Sequence, residues 1–120
     1  ITYGLMLHHC LEAARSLADE RISAEVVDLR TIRPLDDETI LQSVMKTGKA
    51  LIVHEDTRVG GIGGEVAAII SEQAFEYLDG PIMRLAGPEV PAMPFSPPLE
   101  AAFMLDADKI AGAMRRLAQY

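Results

Sequence analysis

Apolar residues recur at helical spacing near the start of the chain. Leu7, Cys10, Leu11, Ala14, Leu17 and Ala18 share one side, and His8, Glu12, Arg15, Ser16 and Asp19 fall between them, which predicts an amphipathic helix over residues 5–20. The next apolar run, residues 24–29, is short and β-branched and is halted by Pro34, so it reads as a strand. Asp36 then stands where an N-cap is wanted, and Asp37 and Glu38 place negative charge in the first turn. Ile40, Leu41, Val44 and Met45 form the stripe to be buried, and Lys46 and Gly48 supply the ending.

Residues 50–53 are apolar without alternation, the pattern of a strand covered on both faces, with His54-Glu55-Asp56 at its carboxyl end. A glycine-rich turn leads into Val66, Ala67, Ile69, Ile70, Ala74, Phe75 and Leu78, a second long helix closed by Gly80-Pro81, and residues 82–86 form the following strand. Five of the seven prolines fall within 87–98, so this stretch is expected to be a semi-rigid extended connection that buries Met93 and Phe95. Asp106 caps a last helix whose Ile110, Ala113, Met114 and Leu117 face inward. Buried strands alternating with helices are the mark of parallel βαβ crossovers. The expected class is therefore α/β, a three-layer α/β/α sandwich on a mainly parallel sheet.

The length, 120 residues, allows one domain over 1–120, and 49% hydrophobic against 24% charged residues excludes disorder as the main state. Eleven Lys and Arg against 18 Asp and Glu give −7, with no basic run beyond Arg115-Arg116, which argues against nucleic acid as a partner. No apolar stretch approaches the roughly 20 residues that span a bilayer, which argues against a membrane span. A single Cys10 and six methionines suit a reducing compartment, so the expected location is cytoplasmic. The start at Ile1, already apolar and without Met, suggests a segment cut from a longer chain.

The candidate chemistry is sparse. Gly60-Gly61-Ile62-Gly63-Gly64-Glu65 follows a strand and precedes a helix, where backbone amides can meet a phosphate. The spacing is wrong for the known phosphate loops: a dinucleotide fingerprint needs glycine where Val66 stands, and a Walker loop needs lysine where Glu65 stands. Close packing is the competing use of Gly61 and Gly63. His54, Glu55 and Asp56 sit where open α/β sheets bind ligands and could act as base or metal ligands, or His54 could simply hold the loop in shape. His8-His9-Cys10 cannot converge on one ion, because consecutive helical residues point about 100° apart. The segment Asp28-Leu29-Arg30-Thr31-Ile32-Arg33-Pro34-Leu35-Asp36 carries two arginines and two acids in a tight connection, which makes it, with Arg30 foremost, a candidate for an anion site or a polar subunit interface.

That same segment, from Val26-Val27 through Asp36, belongs to a set of words that resembles one family. The others are Ser43-Val44-Met45-Lys46-Thr47-Gly48, His54-Glu55, Gly60-Gly61-Ile62-Gly63-Gly64-Glu65 and Leu78-Asp79-Gly80-Pro81-Ile82-Met83-Arg84. Together they resemble the transketolase C-terminal-like domain of the beta subunit of thiamin-dependent 2-oxo acid dehydrogenases, with His54-Glu55-Asp56 leaning toward the branched-chain, 2-oxoisovalerate type over the pyruvate type. The resemblance implies a mixed sheet whose antiparallel edge strand precedes this segment, leaving the edge beside residues 24–29 open. It implies thiamin diphosphate and magnesium held by other domains of the parent enzyme, with no cofactor, metal or catalytic residue here.

The role it implies is subunit assembly, with an alpha subunit or alpha region and a second beta subunit, and docking of the basic subunit-binding domain of a dihydrolipoyl acyltransferase. Asp79 and the C-terminal Tyr120 carboxylate match the acidic docking region, and Glu76 lies one turn before Asp79. The residues themselves leave open a free-standing small-ligand or regulatory binding module around His54, Arg30 and the glycine turn. A metal-dependent hydrolase on His54, Glu55 and Asp56 lacks a further ligand at convincing spacing.

Overall fold

The computed structural model describes residues 1–120. Five α-helices, α1 (Met6–Ala18), α2 (Asp37–Thr47), α3 (Gly63–Gln73), α4 (Pro97–Phe103) and α5 (Ala107–Ala118), surround a sheet whose hydrogen-bonded ladder joins β1 (Leu51–Thr57) to β2 (Met83–Gly87) in parallel. Residues 1–3 lie along the other side of β1: the Val53 amide donates to the Ile1 carbonyl at 2.9 Å, and the buried Thr2 hydroxyl donates to the Val53 carbonyl at 2.8 Å. Thr2 in turn bridges the segment around Asp28, donating to Val27 and accepting from Leu29, both at 2.9 Å. The spatial order is therefore 26–29, 1–3, β1, β2, all parallel, with the first connection running one way across the sheet and the next the other.

Residues 24–29, expected as a strand, are extended but form only the bridge at Asp28, because their neighbour turns away at Gly4 (φ 62°) into α1 after three residues. Their opposite edge is left without a partner strand, as the resemblance implies.

The alternating side chains of β1 explain why this strand shows no alternation in sequence. Leu51 and Val53 enter one core with Met6, Cys10, Ala13 and Leu17 of α1 and Ile110, Ala113 and Leu117 of α5. Ala50 and Ile52 enter a second core with Ile40 and Val44 of α2 and Val66 and Ile70 of α3. The three layers are thus α1/α5, sheet and α2/α3. Asp36 and Asp106 cap α2 and α5 as expected, each accepting from a backbone amide three residues on. No helix is long and apolar enough to cross a membrane.

Several sequence expectations are corrected. The buried face of α1 is Met6, Cys10, Ala13 and Leu17, with Leu11 and Ala18 exposed. Ala13 faces Ala111 and Ala113 in the same core, where small side chains let two helices approach closely. Met45 is exposed, since one face of α2 suffices to cover the sheet. The second long helix stops at Gln73, where Ala74 (φ −136°) breaks it. A short 3₁₀ turn, Phe75–Tyr77, follows and leaves Phe75 exposed.

The proline-rich stretch contains the start of a helix, α4, with Pro97 and Pro98 in its first turn, where a missing amide hydrogen costs nothing. Met93 and Phe95, expected to be buried, are exposed, Phe95 completely. Accordingly the chain exposes 7317 Å², against about 6,300 Å² for a typical monomer of this mass.

Candidate functional site

His54 is the only histidine in the core and has no solvent exposure. β1 continues through Thr57, so His54 stands within the strand and not at its end. Its ring lies nearly parallel to that of Tyr3, at a centroid separation of 6.2 Å. Nδ1 is 3.1 Å from the Asp56 carbonyl oxygen, which can only accept, so Nδ1 carries the proton. Nε2 is then an unprotonated, buried nitrogen with no partner.

The glycine turn closes over this ring. A Cβ on Gly63 would come within 2.3 Å of Nε2, and one on Gly61 within 2.9 Å of Cε1 and 2.3 Å of the Thr57 carbonyl oxygen. Glycine is required at both positions for close approach, not for phosphate binding. Burial pushes the His54 imidazolium pKa below its ordinary value, and the nearby Arg84 charge adds to this against the opposing Asp56 contacts. The same burial, with the Asp56 and Glu55 charges, raises that of the Tyr3 hydroxyl.

The structure therefore separates what the sequence sets side by side. Glu55 and Asp56 are exposed while His54 is enclosed, and the Asp56 carboxylate accepts from the Thr57 amide at 2.7 Å. No group of three His, Cys, Asp or Glu side chains could hold a metal ion, which removes the geometric basis of the hydrolase alternative. Arg30 sits in a left-handed turn (φ 56°) and is tied to its own neighbour, with Nε and the backbone amide each 3.1 Å from the Asp28 carboxylate. It lines a cleft with Thr31, Pro34 and Thr39, apart from Gly61, so the ligand module imagined around His54, Arg30 and the glycine turn has no common cavity.

The docking candidates fare differently. The Asp79 amide donates to the Gly48 carbonyl at 2.7 Å, and its carboxylate covers the space a Gly48 side chain would fill. Gly80 packs against the Tyr120 ring, so Asp79 and Tyr120 belong to one surface where α2, the 78–80 loop and the end of α5 meet. Glu76 is exposed in the 3₁₀ turn just before it.

A feature the sequence did not single out is an open groove of about 1120 Å³ beyond the carboxyl end of β1, reached by Arg84 of β2. Arg33, Arg58 and Arg84 line it, together with Asp37 and Glu65. Arg58 and Arg84 each donate from Nη1 to the other's backbone carbonyl, at 3.1 and 3.3 Å. Arg33 belongs to the 28–36 segment already marked as a candidate anion site or polar interface, whereas nothing along the chain points to Arg58, just after β1, or Arg84, within β2, joining it.

Residues 1–110 match the family described as "Transketolase, C-terminal domain". The chain is 56% identical over all 120 residues to the 2-oxoisovalerate dehydrogenase subunit beta of Bacillus subtilis, of which it covers 37%. It is 46% identical over 119 residues (99% of the chain) to the mitochondrial pyruvate dehydrogenase E1 component subunit beta of Dictyostelium discoideum, of which it covers 33%. Among solved structures it is similar to a split-gene transketolase described as an inactive beta4 tetramer, with a TM-score of 0.82 and 28% identity over 98% of this chain and 38% of that one. The chain spans about a third of the length of the relatives it matches, and these two relatives are ordered as His54-Glu55-Asp56 suggested, the branched-chain type ahead of the pyruvate type. On this match, carried through both cores of the sandwich, the chain belongs to the transketolase C-terminal domain family.

Proposed function

We propose that these residues form the assembly and partner-docking region of the beta component of a thiamin diphosphate-dependent 2-oxo acid dehydrogenase of the branched-chain type, working in the cytoplasm. The observation that carries this reading is the 56% identity to a 2-oxoisovalerate dehydrogenase beta subunit across the whole chain. The parent enzyme would decarboxylate a branched-chain 2-oxo acid oxidatively and pass the acyl group to lipoyl groups.

Thiamin diphosphate with magnesium needs carboxylate or carbonyl oxygens converging on a metal beside a diphosphate cradle. The residues present do not fit it. His54 Nε2 is sealed by Gly63 while Glu55 and Asp56 are exposed, and Glu65 stands in the first turn of α3, where it would repel a phosphate. The chain accordingly carries no step of that chemistry in this reading. Cofactor and metal belong to other parts of the parent, and this region joins an alpha subunit or alpha region, a second beta subunit and the acyltransferase.

The carboxylates of Asp79 and Glu76 beside Tyr120 suit a basic subunit-binding domain on a chain of net charge −7. In the natural full-length polypeptide, the triple substitution Glu76→Lys, Asp79→Lys and Tyr120→Lys should weaken acyltransferase binding at least tenfold in calorimetry and leave decarboxylation with an artificial electron acceptor intact. Unchanged binding would remove the docking assignment, and unmeasurable decarboxylation by the unsubstituted polypeptide with its alpha partner would remove the enzyme assignment.

A further inference from the structure

We infer that the groove between residues 32–37 and 58–65 is a docking surface for an acidic polypeptide segment of a partner subunit. This surface is distinct from the Asp79 and Tyr120 region and does not depend on the proposed activity. The chain carries −7 overall, and its four ion pairs use Arg30, Lys46, Lys109 and Arg115. Of the seven cations outside these pairs, three, Arg33, Arg58 and Arg84, converge in the groove.

Two of these guanidinium groups are held in place by the reciprocal bonds to backbone carbonyls, which leave other N–H donors on each free for a carboxylate. Gly64 places no side chain over Arg84, whose Nη1 lies 3.4 Å from where a Cβ would be. Three guanidinium groups against the carboxylates of Asp37 and Glu65 leave the groove net positive on a chain that is net negative.

Size decides between a small anion and a polypeptide. The groove exceeds the roughly 300 to 1,000 Å³ of ordinary small-molecule pockets and is open along its length, so a small anion in it would stay largely hydrated. Its walls also carry apolar side chains, with Ile32 and Val59 exposed at 40% and 76%. Arginine beside exposed apolar surface is the composition of protein interfaces. Asp37 and Glu65 in the same groove disfavour a compact polyanion and are compatible with a segment whose carboxylates are spaced along an apolar strand.

The test uses the natural full-length polypeptide and a fluorescein-labelled peptide of alternating Glu and Leu, with fluorescence anisotropy for affinity and hydrogen exchange for location. Saturable binding is expected at low salt, lost at high salt, with protection confined to residues 32–37 and 58–65. Arg33→Gln with Arg58→Gln should raise the Kd by about tenfold or more, the scale of one lost charge pair. Arg33→Gln alone makes the same test without touching the Arg58 and Arg84 bonds, and should raise it by a smaller factor. Unchanged affinity in both variants, or protection elsewhere, would overturn the inference. So would pyrophosphate giving the same protection while the peptide gives none, an outcome that would assign the groove to a small phosphoryl ligand.

Discussion

The sandwich and the arm that follows it, residues 88–103, use similar side chains to opposite ends. In the sandwich, Ile52, Ile70 and Ile110 have essentially no exposure. In the arm, Val90 and Met93 are each 45% exposed, Leu99 is 61% exposed, and Phe95 is bare. Hydrophobicity alone therefore does not decide burial. The sandwich residues are delivered to a sheet by helices and strands of matching period, whereas prolines at 88, 91, 94, 97 and 98 keep the arm from folding back on the core. The arm's apolar surface is not part of what stabilises this chain by itself.

Substitutions at matched sites sharpen this contrast. The largest effect is expected at Ile110, where truncation to alanine empties a fully buried site between α1, α5 and the sheet. Urea unfolding should register a loss of about 2 to 5 kcal/mol. Gly63→Ala follows at about 1 to 3 kcal/mol, because the new methyl group meets the His54 ring within a close-packed core. Combining it with His54→Ala should recover part of that loss, and strict additivity in the double-mutant cycle would show that the ring and the turn are not in contact.

His54 also makes the sandwich sensitive to pH. Its folded-state pKa lies below the ordinary value, so in acid the unfolded chain binds a proton that the folded chain does not. The stabilisation is complete above the unfolded pKa of about 6.5 and is lost as pH falls below it, with a slope of at most about 1.4 kcal/mol per pH unit from this group. Denaturation midpoints between pH 7 and 5 should fall, and His54→Gln should flatten that dependence.

Asp106→Ala, which removes the cap between arm and α5, should cost about 0.5 to 2 kcal/mol by the same unfolding measurement. Phe95→Ser should change stability by no more than about 0.5 kcal/mol, since the ring touches solvent only. A loss comparable to that at Ile110 would mean that the arm packs on the core after all.

Much of the fold was legible along the chain because periodicity and capping are local. Asp36 and Asp106 start their helices where a side-chain acceptor precedes a run of apolar positions. Residues 50–53 lack alternation because both faces of β1 are covered. Local signals misjudged α1, where close helix packing favours Ala13 over Leu11, and α4, where prolines that break a helix interior instead occupy its first turn. They misjudged Phe95 as well, since nothing local says whether a side chain will find a partner.

For the site the division is sharper. The order of residues by itself determined the α/β class, the family words and the glycine turn after β1, all of them properties of neighbours in sequence. Only the tertiary structure decided that Gly61 and Gly63 serve the His54 ring, that Glu55 and Asp56 are exposed while the ring is enclosed, and that Arg30 lies in another cleft. It also brought Arg33 and Arg58 from two connections together with Arg84 of β2. Convergence of this kind is set by strand order and by which side chains the sheet turns inward, and neither is a property of any stretch of chain taken alone.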